Sequence, residues 1–164
     1  MADHYAFIRK AVLIMSLLSI AAGLTSCGKR KAVEISDFTS ITISESGSRG
    51  FTDEYELLRT EDGARLTLYS GSWKYKDGAD REEYVRFRVE GGEDFYKELL
   101  ELLKTYKVGN WNGFTGSNPN GVLDGKQFTM SGTVNGETRI YATGSNNFPK
   151  QYRDFLKALD GLNQ

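Results

Sequence analysis

Histidine and cysteine are almost missing from this chain, because each occurs once, as His4 and Cys27. The sequence after Cys27 therefore has neither an imidazole nor a thiol. This excludes Ser-His and Cys-His nucleophile pairs, thiolate redox chemistry, and zinc sites built on nitrogen or sulfur ligands from that part. Carboxylates, lysines, tyrosines and hydroxyls remain for chemistry, and the sequence predicts no catalytic residue, no cofactor and no metal.

The chain also has no large excess of positive or negative charge. The chain has 21 Lys and Arg against 22 Asp and Glu, and residues 27–164 keep 19 and 21 of these, a net charge near −2. Nucleic-acid binding requires a strongly cationic face or stripe, so we expect no nucleic-acid partner. With only two prolines and 164 residues, the length suits one hydrophobic core and predicts a single domain.

An apolar run at residues 11–24 follows Arg9-Lys10. It is shorter than the roughly 20 apolar residues that span a bilayer, and a basic start, a short apolar stretch and small residues are typical of a secretory signal. The sequence Leu24-Thr25-Ser26-Cys27 resembles the lipobox of bacterial lipoprotein precursors. That resemblance implies cleavage before Cys27, a diacylglycerol thioether on its sulfur and usually an acyl chain, such as palmitate, on its new amine.

The predicted organisation is a signal peptide at 1–26, a lipidated N-terminus and short tether at 27–36, and one domain at 37–164. Two or three acyl chains anchor a protein far more durably than one. We therefore expect an extracytoplasmic protein whose Cys27 reaches lipid of the bacterial cell membrane. The alternative is an ordinary signal or an uncleaved anchor with a coincidental cysteine. Lys29-Arg30-Lys31 suits both contact with anionic lipid and a solvated tether.

Alternating polar and apolar residues predict the strands. Two hairpins are indicated by the turn pairs Asp62-Gly63 and Asn135-Gly136, because these pairs tolerate the positive φ of tight turns. Strands that are apolar on one face only favour an antiparallel sheet covered on one side. The predicted strands lie at 39–45, 54–60, 64–70, 82–90, 127–134 and 137–143, with Val85, Phe87 and Val89 of the fourth facing inward.

Apolar residues at helical spacing predict two helices, at 93–107 and 149–161. The second is expected to begin at Pro149 behind Asn147 as its N-cap. We predict a two-layer α+β domain, with an antiparallel sheet of about five to six strands and both helices packed on one face. The order of the strands is left open.

A connection of about 18 residues, 109–126, separates the first helix from the next strand, and connections of this length are often functional. The Asn135-Gly136 hairpin places this loop beside residues 144–148. The predicted ligand-binding residues are aromatic, amide and acidic side chains of the two segments: Trp111, Asn112, Phe114, Asp124, Asn146 and Asn147. The alternative is that the aromatics fill the bottom of the core and the polar side chains bond locally to backbone.

Catalytic motifs are missing from the sequence: it has no Gly-x-Ser-x-Gly elbow, and Gly116–Gly121 lacks the lysine of a phosphate loop. The sequence therefore favours a binding or interaction module at the cell envelope, for an envelope protein, a peptide or a glycan. The alternative is a small envelope hydrolase that uses carboxylates or a Ser-Lys pair.

Residues 111–155 contain Trp-Asn-Gly-Phe at 111–114, Val-Leu-Asp-Gly at 122–125, Gly-Ser-Asn-x-Phe-Pro at 144–149 and Tyr-x-x-Phe at 152–155. This combination resembles uncharacterised lipoproteins and surface proteins of Gram-positive anaerobes. The resemblance implies a family and brings neither an activity nor catalytic residues.

Overall fold

The computed structural model describes residues 31–47, 50–75, 79–118 and 125–164, with backbone alone at 73–75 and 79–83. The predicted signal peptide and Cys27 lie outside these residues. The described elements are, in chain order, β1 (Phe38–Ser46), β2 (Phe51–Arg59), β3 (Gly63–Tyr75), β4 (Ala79–Gly92), α1 (Glu93–Thr105), a 3₁₀ helix (Val108–Trp111), β5 (Thr115–Gly116), β6 (Gln127–Val134), β7 (Thr138–Ser145) and α2 (Tyr152–Gly161). The α+β class is confirmed.

The strands form one sheet in the order β4-β3-β2-β1-β6-β7-β5, and every pair is antiparallel except β5 with β7. The predicted count of five to six strands was wrong, because β5 lies inside the long connection. Backbone hydrogen bonds attach this connection to β7, from Gly113 N to Tyr141 O at 2.7 Å and from Thr143 N to Phe114 O at 2.9 Å. A strand of two residues is too short to show alternation in a sequence.

Both predicted hairpins are confirmed. In the first, Glu61 and Asp62 turn β2 into β3, Gly63 is already the first residue of β3, and Thr60 N donates to Gly63 O at 3.0 Å. Gly63 does not adopt the positive φ for which the Asp62-Gly63 pair was singled out. Asn135 and Gly136 turn β6 into β7 with φ of 50° and 82°. Positive φ at both central positions matches the twist of a two-stranded ribbon, which is why this pair favours such turns.

One face of the sheet, here called the inner face, carries the buried residues of the strands. Directly opposed residues on neighbouring strands share a face, and Ile41 of β1 lies opposite Leu57 of β2 and Gly132 of β6. The other buried inner-face side chains of these three strands and their neighbours follow the same parity: Ile43, Tyr55, Leu66, Leu68, Phe128, Met130, Ile140 and Ala142.

The fourth strand follows its predicted pattern only in part. Leu68 lies opposite Phe87, but the next residue, Tyr69, lies opposite Val85, so Arg86 is an extra residue in a bulge. One extra residue reverses the facing of every side chain beyond it. The prediction that Val85 faces inward was therefore wrong, and this side chain is 46% exposed.

Each helix contributes buried side chains to the same core. In α1 these are Tyr96, Leu99, Leu100 and Leu103, and in α2 they are Tyr152, Phe155, Leu156 and Leu159. The ring of Tyr96 stacks on Phe38 of β1 at 5.0 Å, and that of Tyr152 lies 4.9 Å from Phe128 of β6.

The helix ends differ from the prediction. α1 ends two residues early, and Lys107 adopts the left-handed conformation with φ of 52°. The N-cap of α2 is Gln151 rather than Asn147, so that prediction was wrong. Tyr152 N donates to Pro149 O at 3.2 Å, so the chain makes a turn after Pro149 before the helix begins.

The segment before β1 is fixed to the domain. Val33 N donates to Gly109 O at 3.1 Å, and Ile35 is buried in the core. The side-chain oxygen of Asn135 accepts hydrogen bonds from the backbone of Ser36 and Asp37, and its amide donates to Glu34 O at 2.7 Å. The predicted domain start at residue 37 therefore lies inside the packed part of the chain.

Candidate functional site

The two rings of the predicted site are packed inside the domain. Trp111 is 3% and Phe114 is 8% exposed. Trp111 lies edge-on to Phe155 at 5.6 Å, and its indole N–H donates to Lys150 O at 3.2 Å. Phe114 lies 6.0 Å from Phe128. Both rings are thus core side chains that present little surface to a ligand.

The amide side chains of the predicted site bond mostly to backbone. Asn112 accepts from Tyr141 N at 3.1 Å and donates to Lys31 O at 3.1 Å. Asn146 accepts from Lys126 N at 2.8 Å, and Asn147 donates to the backbone oxygen of Ser117 at 3.4 Å. Asp124 lies outside the described residues.

The loop and residues 144–148 are neighbours, as the hairpin argument requires. Beside the rings, a cavity of about 310 Å³ is lined by Trp111 and Phe114 with Tyr106, Lys107, Asn110, Pro149, Lys150 and Gln151. Ligand binding at this place stays a prediction.

A second concave site was missed by sequence reasoning. We call it the charged cleft: a hollow of about 260 Å³ between α2 and the ends of β1 and β2, lined by Glu45, Asp53, Tyr55, Lys126, Arg153, Leu156, Lys157 and Asp160. Three carboxylates and three cations meet there. Such a concentration of both charges in a concavity can hold a polar ligand or stabilise the fold.

Glu45 is the most enclosed charged group of the charged cleft, with a side chain only 13% exposed. One carboxylate oxygen accepts from Lys126 Nζ at 2.6 Å, and the other contacts the Arg153 guanidinium and the Tyr152 hydroxyl, the latter at 3.4 Å. The guanidinium also lies 4.5 Å from the ring centre of Phe148. Ion pairing and ring stacking together fix this side of the cleft.

The other two carboxylates are also engaged. Asp160 accepts from the Tyr55 hydroxyl at 2.9 Å. Asp53 accepts from the Ser70 hydroxyl and lies 4.0 Å from the Arg86 guanidinium, and half of its side chain is exposed. Lys157, by contrast, makes no ion pair with any described residue.

Two buried tyrosines border the charged cleft. Burial raises the pKa of Tyr55, and the hydrogen bond to Asp160 raises this pKa further. Burial likewise raises the pKa of Tyr152, with the charge of Glu45 as the second cause. Both hydroxyls therefore remain protonated donors over the physiological pH range.

A signal for the charged cleft is present in the sequence. Glu45 follows Ile41 and Ile43 at the inward parity of β1, and Asp53 precedes Tyr55 at the inward parity of β2. A carboxylate on an inward position needs a partner. The cationic partners on α2 come from a distant part of the chain. The sequence therefore shows the inward carboxylates but not the cations that they contact.

In the part of the chain that the structure describes, no group of three or more acidic, His or Cys side chains is arranged to hold a metal ion. No helix among the described residues has the length and apolarity to cross a membrane. No family model matches the chain, and no curated protein matches it.

Proposed function

We propose that this chain is a lipid-anchored extracytoplasmic protein and that its domain is a binding module of the bacterial cell envelope, with the charged cleft as its ligand site. The observation that carries the proposal is the cleft itself, in which Lys157 has no ion-pair partner among the described residues while Asp53 is half exposed. Lys157 is therefore available to a ligand, and the exposed half of Asp53 can accept a further hydrogen bond beside its contact with Ser70.

The chemistry of the charged cleft favours a small ligand with charges of both signs. Lys157 suits a carboxylate of the ligand, and Asp53 suits an ammonium group. The volume of about 260 Å³ is below the roughly 300 Å³ at which pockets for drug-sized molecules begin. A short peptide with free termini carries one charge of each sign, and a single residue at one of its ends is small enough to enter the cleft, where its terminal charge meets Lys157 or Asp53.

The anchor is supported by Leu24-Thr25-Ser26-Cys27 after a short apolar run. Wild type and Cys27→Ala are expressed in a bacterium that is fed radiolabelled fatty acid. We expect label in the wild type and none in the variant. Equal labelling of the two, or labelling of neither, overturns the anchor.

The ligand site is tested by nuclear magnetic resonance with a set of dipeptides and tripeptides that have free termini. We expect backbone amide shifts at the cleft residues, lost in Lys157→Ala. Lys97→Ala is the matched control, because Lys97 is an exposed lysine of the other helix and its loss should leave the shifts in place. Shifts around Trp111 and Phe114 instead would place the ligand at the cavity beside these rings, and the absence of any shift contradicts a peptide ligand.

An envelope hydrolase is the second candidate function, and the three carboxylates that line one cleft are the observation that favours it. Each of them, however, already contacts a hydroxyl or a cation of the protein, which is typical of an ion network. Turnover of a peptide or glycoside substrate that is abolished by Asp53→Asn would favour the hydrolase over the binding module.

We also propose that both helices form one layer on the inner face of the sheet. Three contacts support this arrangement, because each joins a helix to an inner-face strand residue: Tyr96 with Phe38, Tyr152 with Phe128, and Asp160 with Tyr55. Phe38 belongs to the inner face because a register shift between Phe38 and Ser40 places it opposite Val134, two residues after Gly132. Cysteine pairs introduced between each helix and the outer face should not cross-link, and efficient cross-linking there would contradict a single layer.

A further inference from the structure

Three lysines that make no ion pair with any described residue lie near the point where the chain enters the fold. They are Lys31, Lys107 and Lys150, which we call the basic face. The backbone oxygen of Lys31 accepts from Asn112 at 3.1 Å, and Lys107 and Lys150 line the same cavity beside Trp111. The 3₁₀ helix, which contains Trp111 and is followed by Asn112, connects the three.

The position of the basic face relative to residue 27 is set by the chain. Lys31 is the first described residue, and hydrogen bonds from Asn112 and between Val33 and Gly109 hold this segment on the 3₁₀ helix. Three residues lie between Cys27 and Lys31, and the four steps from one to the other cover at most about 14 Å in a fully extended chain. A lipid on Cys27 would therefore hold this end of the domain close to the bilayer.

The charges near this end are mainly positive. Lys29 and Arg30 precede the basic face in the sequence. Lys104 is paired with Glu101, and Glu34 is an exposed carboxylate of the neighbouring groove. The domain as a whole is close to neutral, so the basic face is a local surplus of cations at the end that the tether brings to the membrane.

We infer that the basic face is a membrane-contact surface, on which Lys31, Lys107 and Lys150 meet the phosphates of anionic phospholipids and orient the domain on the bilayer. The inference rests on the lipid anchor proposed above. Attraction to an anionic bilayer raises the equilibrium constant for membrane contact about fivefold for each lysine near the surface. Three lysines therefore suffice to favour one orientation of a domain that is already tethered.

The experiment attaches residues 27–164, which contain every described element, to a maleimide lipid through the Cys27 thiol. Vesicles are made of phosphatidylcholine with and without phosphatidylglycerol. Lysine acetylation is then followed residue by residue by mass spectrometry. We expect slower acetylation of Lys31, Lys107 and Lys150 on the anionic vesicles, with Lys97 as the internal control, and loss of the protection at about 1 M salt, where the Debye length is about 3 Å.

Charge reversal gives the matched comparison. Lys107→Glu with Lys150→Glu should lower the equilibrium constant for the docked orientation at least about 25-fold, at about fivefold for each lysine removed, and Lys31 should lose its protection. Arg88→Glu with Lys97→Glu makes the same change in net charge away from the basic face, with Arg88 on the edge strand β4, and should leave the protection of Lys31 intact.

Equal acetylation on the two kinds of vesicle, or protection that survives the first double variant, overturns the membrane-contact surface. Because the attachment is chemical, neither result depends on lipidation in the cell. Failure of the anchor is read separately, from the labelling of Cys27 by fatty acid.

Discussion

The backbone oxygen of Val33 occupies the space beside Gly109 that a side chain would need, since a Cβ on Gly109 would lie 1.8 Å from this oxygen. The two residues are also joined by the hydrogen bond from Val33 N to Gly109 O at 3.1 Å. Only glycine allows the segment before β1 to approach the 3₁₀ helix so closely. This contact fixes where the chain leaves the domain toward residue 27.

Gly109→Ala should therefore separate the N-terminal segment from the 3₁₀ helix. We expect a loss of about 1–3 kcal/mol in the free energy of unfolding, the usual cost of a side chain forced into occupied space. Urea unfolding measures this loss. Gly161→Ala is the control, because nothing lies within 4 Å of a Cβ there, and it should not destabilise the protein. Equal stability of Gly109→Ala and wild type would contradict the contact.

Trp111→Ala should remove a large part of the core. Truncation of a buried tryptophan costs about 3–5 kcal/mol, and the hydrogen bond to Lys150 O is lost as well. A thermal melt should show the loss as a strongly lowered Tm. Phe51→Ala removes an aromatic ring that is 65% exposed and should change stability by less than about 0.5 kcal/mol. Similar Tm values for the two variants would mean that Trp111 is not a core residue.

The two buried tyrosines predict a loss of stability in alkali. Between the ordinary tyrosine pKa of 10.0 and the raised pKa of Tyr55, the unfolded chain releases the proton that the folded protein keeps. Stability is thus fully present below about pH 10 and falls above it, by about 1.4 kcal/mol per pH unit for each such tyrosine. Urea unfolding at a series of pH values from neutral to alkaline measures the slope.

Tyr55→Phe should reduce this alkaline slope, although it also loses the hydrogen bond to Asp160, worth about 1 kcal/mol at neutral pH. Tyr141→Phe changes an exposed tyrosine and should leave the slope as it is in the wild type. An unchanged slope in Tyr55→Phe would argue against burial of its hydroxyl.

Glu45→Gln should weaken the charged cleft. The change leaves Lys126 and Arg153 without their carboxylate, but both cations are half exposed, so water replaces part of the lost interaction. We expect a loss of about 1–2 kcal/mol, less than the 3–5 kcal/mol for a fully buried pair, as measured by urea unfolding.

Asp94→Asn breaks the exposed pair with Lys97 and is the control for Glu45→Gln, with a smaller expected effect because solvent screens exposed pairs. If the two variants lose the same stability, Glu45 behaves as an ordinary surface residue. That result would contradict a stabilising ion network in the charged cleft.

Local signals in the sequence were sufficient for the six long strands, the two helices and the α+β class. Alternation identified the long strands, and Asn135-Gly136 identified its turn because the conformational need of a tight turn is met by the two residues themselves. The apolar stripes of α1 and α2 were equally readable, since the spacing of a helix depends only on its own residues.

Contacts between distant residues decided which face of the sheet a side chain occupies and which strands pair. The bulge at Arg86 turned Val85 outward, although the sequence around it alternates without interruption. β5 exists because Phe114 and Gly113 bond to β7, and nothing in Thr115-Gly116 indicates a strand. Alternation in the sequence shows which side chains of a strand share a face. It does not show how that strand is aligned with its neighbour in the sheet.

The candidate site divides in the same way. From the sequence, Trp111 and Phe114 were placed in a long connection beside residues 144–148, whereas the charged cleft was not predicted. Contacts between distant parts of the chain place the two rings in the core and bring Arg153 and Lys157 of α2 to the carboxylates. The physical reason is that burial and ion pairing each require two surfaces in contact. One stretch of sequence describes only one of these two surfaces.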